Sequence, residues 1–214
     1  PYIGDVLIRR SLPSTILITV TEWDAVAQIA APDQAQIAAA QAELAETSGD
    51  DGTGGTAASG ESGSGDTSGQ SEERYVAQEP WLINVRGKLL EPAPEDSAAL
   101  AVTGLTPLMP QAGRELAVPQ SEQTRLEALL ALLAALEEAE MLPQISSIQL
   151  TDVRVTMRYL DRFDVIMELN DDFRYDLQVI REVEGQIEEN HGPDATGTMD
   201  LTQDQYGALL YSPG

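Results

Sequence analysis

Residues 121–169 read SEQTRLEALLALLAALEEAEMLPQISSIQLTDVRVTMRYLDRFDVIMEL, a helix-period stretch followed by strand-period stretches, and this passage decides the fold class. Leu126, Leu129, Leu130, Leu133 and Leu136 recur at helical spacing and form an apolar stripe. Ser121 is predicted to cap this helix, Glu122 suits its positive end, and Pro143 ends it. Beyond it, residues 145–150, 153–159 and 163–169 alternate in the way of consecutive strands, a meander. Asn170-Asp171-Asp172 has turn composition and is expected to lead into a further strand, Phe173 to Leu177. A second helix is predicted over about Val179 to Glu189, packing Val179, Val183 and Ile187 and stopping at Asn190-His191-Gly192-Pro193. Two short strands, Thr198 to Leu201 and Tyr206 to Tyr211, complete the series. Strand, helix, several strands, helix and strands predict an α+β fold, an antiparallel sheet with helices on one face.

Upstream, Asp5 to Arg10 and Thr15 to Glu22 are rich in Val, Ile, Leu and Thr and are joined by the turn-forming Ser11-Leu12-Pro13-Ser14, a predicted β-hairpin. Ile16, Ile18 and Val20 alternate with Leu17, Thr19 and Thr21, so one face is apolar and is expected to lie against something. Two strands alone are marginal in water, so the chain is expected to begin partway through a domain. Residues 33–46 predict a weak, largely exposed helix with Asp33 as its cap and Ile37 and Leu44 two turns apart. Thr47 to Glu73 is almost wholly Gly, Ser, Thr, Asp and Glu, too poor in apolar side chains to offset the entropy of ordering it. It is expected to be a disordered insert. Trp81 to Val85, Arg86-Gly87 and Lys88 to Leu90 read as strand, turn and strand, and a proline-rich passage from Pro92 to Pro119 as extended surface chain.

The chain holds 36 Asp and Glu against 12 Lys and Arg, a net charge of −24, and Lys88 is its only lysine. Such a surface repels nucleic acid and anionic headgroups. The absence of cysteine removes disulfides, thiolate metal sites and cysteine nucleophiles together. No stretch approaches the roughly 18 apolar residues that span a bilayer.

Few residues offer reactive chemistry. His191 is the sole histidine, in a Gly-Pro loop with no Gly-x-Ser-x-Gly elbow in the chain, and a solvated loop residue is the reading that the sequence favours. Asp50-Asp51 and Asp171-Asp172 lack the spacing of a calcium loop, and the glycines from Gly49 to Gly69 never form a dinucleotide-binding pattern. No metal or cofactor is called for. A hairpin would let Glu168 and Asp176 face and perturb one another, but solvated strand-face charges are the commoner case. Arg154, Arg158 and Arg162 form a local basic patch whose simplest fate is pairing with the excess carboxylates, a docked acidic segment being the sharper alternative.

Arg10-Ser11-Leu12-Pro13-Ser14-Thr15-Ile16-Leu17-Ile18-Thr19-Val20-Thr21-Glu22, followed by Ala25-Val26-Ala27, resembles the end of the POTRA domain of FtsQ/DivIB bacterial cell-division proteins, where an Arg-x-x-Pro-x-x-(Leu/Ile)-x-Ile-x-Val-x-Glu pattern leads into the next domain. Trp81-Leu82-Ile83-Asn84-Val85-Arg86-Gly87 resembles that family's Leu-Ile-Asp-x-x-Gly, with Asn84 in place of Asp. Leu105-Thr106-Pro107-Leu108 loosely resembles the family's Leu-Pro-x-(Leu/Ile)-x-Gly type segment, Thr198-Met199-Asp200-Leu201-Thr202 is similar to its late Ile-Asp-Leu motif, and Leu210-Tyr211-Ser212-Pro213 to its closing segment. Two departures stand out: the Lys-Leu pair after the late hairpin is missing around Leu177 to Arg181, and the insert is long.

The resemblance implies residues 1–31 as the C-terminal part of a POTRA domain, 32–79 as an acidic insert and 80–214 as the β domain. It further implies a single-pass membrane protein whose anchor lies upstream of this segment, on the extracytoplasmic face of the plasma membrane at the septum. There it would act as a non-enzymatic scaffold for FtsL and FtsB/DivIC. The partner contact is expected on Tyr206, Gly207, Ala208, Leu209, Leu210 and Tyr211. A strand with aromatic ends and none after it is expected at a sheet edge, where a partner strand can be added, the alternative being that Leu209 and the tyrosines finish the core. The competing readings are another POTRA-containing secretion or assembly protein and a carboxylate-dependent cell-wall hydrolase, which requires a deep pocket with two convergent buried carboxylates.

Overall fold

The computed structural model describes residues 2–11, 14–47, 76–77, 79–202 and 211–213. Within them the fold is α+β. Strands β1 (Ile3–Ser11) and β2 (Thr15–Glu22) form a two-stranded antiparallel hairpin. The remaining strands are β3 (Ala27–Ile29), β4 (Trp81–Ile83), β5 (Leu89–Pro92), β6 (Leu100–Thr103), β7 (Ile145–Leu150), β8 (Arg154–Tyr159), β9 (Phe163–Glu168), β10 (Gly197–Asp200) and β11 (Tyr211–Pro213). They make one sheet in the order β11-β10-β9-β8-β7-β6-β3-β4-β5. Three α-helices accompany it: α1 (Gln34–Thr47), α2 (Gln123–Glu138) and α3 (Arg174–His191).

The sheet is mixed, which corrects the antiparallel expectation. The meander β7-β8-β9 is antiparallel, but β6 pairs parallel with β7, β9 with β10, and β3 with β6. The reason lies in the connections. Helix α2 joins β6 to β7 and α3 joins β9 to β10, and a crossover helix returns the chain to start the next strand in the same direction. In β7–β9 the alternation works as predicted: Ile148, Val155, Met157, Val165 and Met167 point into the core, while Gln149, Asp164 and Glu168 face out. The core is shared with Leu126, Leu129, Leu132, Leu133 and Leu136 of α2 and Leu177, Ile180 and Ile187 of α3.

The strand expected at Phe173 to Leu177 is instead the start of α3. Phe173 is fully buried, Asp172 Oδ1 accepts the Arg174 N–H at 3.1 Å, and the spacing of Leu177, Ile180 and Ile187 turns the apolar side inward from the first turn. Val183 packs against the core only partly. The capping of α2 also differs. A 3-10 turn over Gln120–Glu122 precedes the helix, and it is Glu43 of α1 that caps this start, accepting the Ser121 hydroxyl at 2.6 Å and the Gln120 N–H. The Ser121 bond, followed by the two backbone bonds and against a burial effect, holds the Glu43 carboxyl below its usual range. Glu122 is only 6% exposed, accepting from the Thr106 N–H at 2.6 Å and the Thr106 hydroxyl at 2.9 Å beside Arg125 at 3.4 Å.

Helix α1 begins as expected, on a reciprocal cap in which Asp33 Oδ1 accepts the Gln36 N–H and Gln36 Oε1 accepts the Asp33 N–H. Its Ile37 and Ala40 bury against Val76, with Leu108 beside them, in a small second core. Residues 48–73 of the low-complexity stretch lie outside the described residues. The Trp81–Gly87 motif is a turn device. Asn84 is 1% exposed and its Oδ1 accepts from the Arg86 and Lys88 N–H groups at 3.0 and 2.9 Å. Gly87 sits at φ 75° against Leu130, where a Cβ would lie 2.7 Å from a methyl carbon.

Candidate functional site

The two ends of the large sheet differ. At one end β5 carries Pro92, which like Pro213 of β11 has no N–H to offer. Alongside it run residues 113–116, where Leu89 N–H donates to Arg114 O at 2.8 Å and Gly113 N–H to Leu89 O at 2.7 Å. At the other end β11 pairs antiparallel with β10, and among the described residues it is the edge.

Of the residues expected to bind a partner, Tyr211 is described, and Tyr206, Gly207, Ala208, Leu209 and Leu210 lie outside the described residues. Tyr211 starts β11 opposite Met199 and turns its ring into the core, 7% exposed. The ring meets Phe163 edge-on at 6.3 Å between centroids, and the hydroxyl donates to Thr196 O at 2.9 Å. His191 is exposed as expected, but it does not stand in a loop. It is the last residue of α3, with its ring 5.3 Å from that of Tyr211. Asp200, at the end of β10, accepts from the Thr202 N–H and hydroxyl at 3.0 and 2.6 Å, a compact Asx turn just before the undescribed residues.

Beneath this edge a charged network ties α3 to the β8–β9 turn. Arg162 reaches Glu188 at 2.5 Å and Glu184 at 3.3 Å, and donates to the Pro193 carbonyl. Tyr159 donates to Glu184 at 2.5 Å, and burial first, then this bond, pushes its phenol well above the ordinary range. The predicted basic patch is therefore divided. Arg162 serves this network, Arg158 pairs across the strands with Asp164 at 2.8 Å on the open face, and Arg154 stands opposite Glu168 on that same face. Pairing with carboxylates accounts for Arg158 and Arg162. Sequence reading had no local signal for the network, because its members lie more than 20 residues apart.

Glu168 and Asp176 do not face each other across a hairpin. Asp176 lies in the first turn of α3, half-buried, with Asn170 Nδ2 at 3.5 Å. Burial is the main push raising its pKa, Asn170 opposes it, and the charges of Asp172 and Glu168 add to it. A polar cleft of about 410 Å³ between Asp33, Gln36, Gly104, Arg125, Gln149 and Asp152 holds two carboxylates, neither buried. Asp152 is 84% exposed beside Arg125 at 3.5 Å, and Asp33 caps α1. Among the described residues, no group of three or more His, Cys, Asp or Glu side chains is placed to hold a metal ion. No helix among them is long and apolar enough to cross a membrane. No known protein-family profile matches the chain, and a search of curated proteins finds no match.

Proposed function

We propose that this chain is an extracytoplasmic part of a non-enzymatic division scaffold of the FtsQ/DivIB type, which binds FtsL and FtsB/DivIC and helps coordinate septum formation. In this reading the β1–β2 hairpin ends a POTRA domain, 32–79 form an insert and 80–214 the β domain, whose sheet also takes in β3 between β6 and β4. Partner binding occurs on β11 and on Tyr206, Gly207, Ala208, Leu209 and Leu210, which precede it in the sequence. The observation that carries it is the position of β11. Among the described residues it lies at the edge of the sheet, with its first residue pinned inward by Phe163, His191 and Thr196. A pinned edge holds its outer backbone ready, so an added strand meets a template that is already ordered. At the opposite edge the first residue of β5, Leu89, is already bonded to Gly113 and Arg114.

The test is co-purification of FtsL and FtsB/DivIC with the full-length protein carrying Ala208→Pro, Leu210→Pro or Ser212→Pro. Each removes one backbone donor. At least one variant, with its donor facing outward, is expected to melt like the parent and yet lose the pair. Capture of the pair at parental levels by all three variants overturns the reading.

A further inference from the structure

We propose that Trp23 is the pin of a clamp that locks the β1–β2 hairpin onto the β4–β5 corner of the sheet. The hairpin and the far β11 edge then move as one body. Three observations meet at this residue, and a fourth at its backbone partner Tyr2. The Trp23 N–H donates to Tyr2 O at 2.6 Å, closing the open end of the hairpin. Gly4 lies flat against the indole: a Cβ there would sit 2.5 Å from Trp23 Nε1 and 2.6 Å from Cε2, so only glycine permits the approach. On the sheet side the Arg86 guanidinium stands 4.7 Å from the centroid of the Trp23 ring, a cation–π contact. Tyr2 also reaches the sheet, donating to Glu91 Oε1 of β5 at 2.5 Å.

The clamp has a structural cause on each side. Arg86 is presented by the tight turn that the buried Asn84 organises, so the same residues that close β4–β5 aim the guanidinium at the indole. Trp23 in turn packs partly against the main core. The acceptor Glu91, together with its charge and burial, pushes the Tyr2 phenol up to about 12, the bond coming first among these causes.

The location gives the clamp its consequence. Nine strands in a row, at about 4.8 Å per neighbour, place β11 roughly 40 Å from β5 along the sheet. A hairpin free to swing at Trp23 would leave the far edge without a fixed position relative to whatever the hairpin joins. A locked one makes the sheet a spacer of fixed length and direction. This holds whatever binds at β11.

The chain contains no cysteine, so a spin-label pair at Thr19→Cys and Gln149→Cys reports the hairpin-to-sheet distance without other thiols. Both positions are exposed, one on β2 and one on the open face of β7. The otherwise unaltered protein is expected to give one narrow distance population. Gly4→Ala, which forces the indole away, and Arg86→Ala, which leaves both hairpin strands untouched, are each expected to replace it with a broad or displaced one. In Arg86→Ala the Trp23 amide should exchange about fivefold faster, with β7–β9 amides unchanged. A broad distribution in the unaltered protein, or a distribution as narrow and undisplaced in either variant, overturns the proposal.

Discussion

The hairpin β1–β2 and the meander β7–β9 are written in the same alternating code and end in opposite states. Val6, Ile8, Ile16, Ile18 and Val20 share one face of the hairpin, paired Val6 with Val20 and Ile8 with Ile18, and are 44–66% exposed. Ile148, Val155, Met157, Val165 and Met167 do the same on the meander and are fully buried. The difference is what lies against them, since α2 and α3 share the meander's core. Alternation therefore specifies that a face is apolar, and a separate element decides whether it is dry.

Truncating one side chain on each face is the sharpest way to break this contrast. Met157→Ala removes atoms from a packed core and is expected to lower unfolding stability by about 2–5 kcal/mol. Ile18→Ala, at 58% exposure, should stay within about 0.5 kcal/mol. Urea denaturation of the two variants measures both. Equal losses would mean that the hairpin face is covered in solution, and the contrast would be lost.

A somewhat smaller effect comes from loosening what fastens the helical layer. Glu122 binds the start of α2 to the Thr106 loop through two short hydrogen bonds, with Arg125 beside it. Glu122→Ala leaves the Thr106 donors without their acceptor and leaves Arg125 with Asp152 and the Gly104 carbonyl alone, at an expected cost of about 2–4 kcal/mol. Glu122→Gln keeps an acceptor and should lose less. Hydrogen exchange should quicken in β6–β7 and leave the hairpin unchanged, and faster exchange in the hairpin alone would show that the two regions do not differ in this way.

Glu122 also shows how far the sequence could be read. The α2 stripe and the meander were legible because their periods extend over six or more residues, long enough to distinguish 3.6 from 2. The parallel pairings were not, because β3, at three residues, and β6 and β10, at four, carry almost no period, and their direction is set by the helices between them. Phe173 to Leu177 resembled a strand for the same reason, five residues being too few to show that Leu177 begins a stripe with Ile180 and Ile187. Glu43 capping α2 and Glu122 buried against Thr106 are encounters between segments 16 to 78 residues apart, for which no local pattern exists. At the candidate edge, strand propensity pointed to Tyr211, but its inward ring and its contact with His191 depend on where α3 ends.

The smallest expected effect tests how far the dry layer extends, at Asp176 in the first turn of α3. Two influences compete there. The positive end of the helix favours a carboxylate, by about 0.3–1 kcal/mol in exposed settings, whereas burial disfavours the charge. Asn170 donates to the ionised form, while Asp172 and Glu168 oppose it. The net shift is upward with burial as the leading cause, so desolvation wins. A carboxyl whose folded pKa lies above its unfolded value binds its proton more tightly in the native state. Its ionisation therefore destabilises the fold, fully above the folded pKa and not at all below the unfolded one. Asp176→Asn removes that penalty. The variant is expected to have a higher urea midpoint than the parent at neutral pH. The gap should close as pH falls through the folded pKa and vanish below the ordinary aspartate range. A gap independent of pH, or a parent more stable at neutrality, would mean that the turn is solvated, and the dry layer would then begin further along α3, at Leu177 and Ile180.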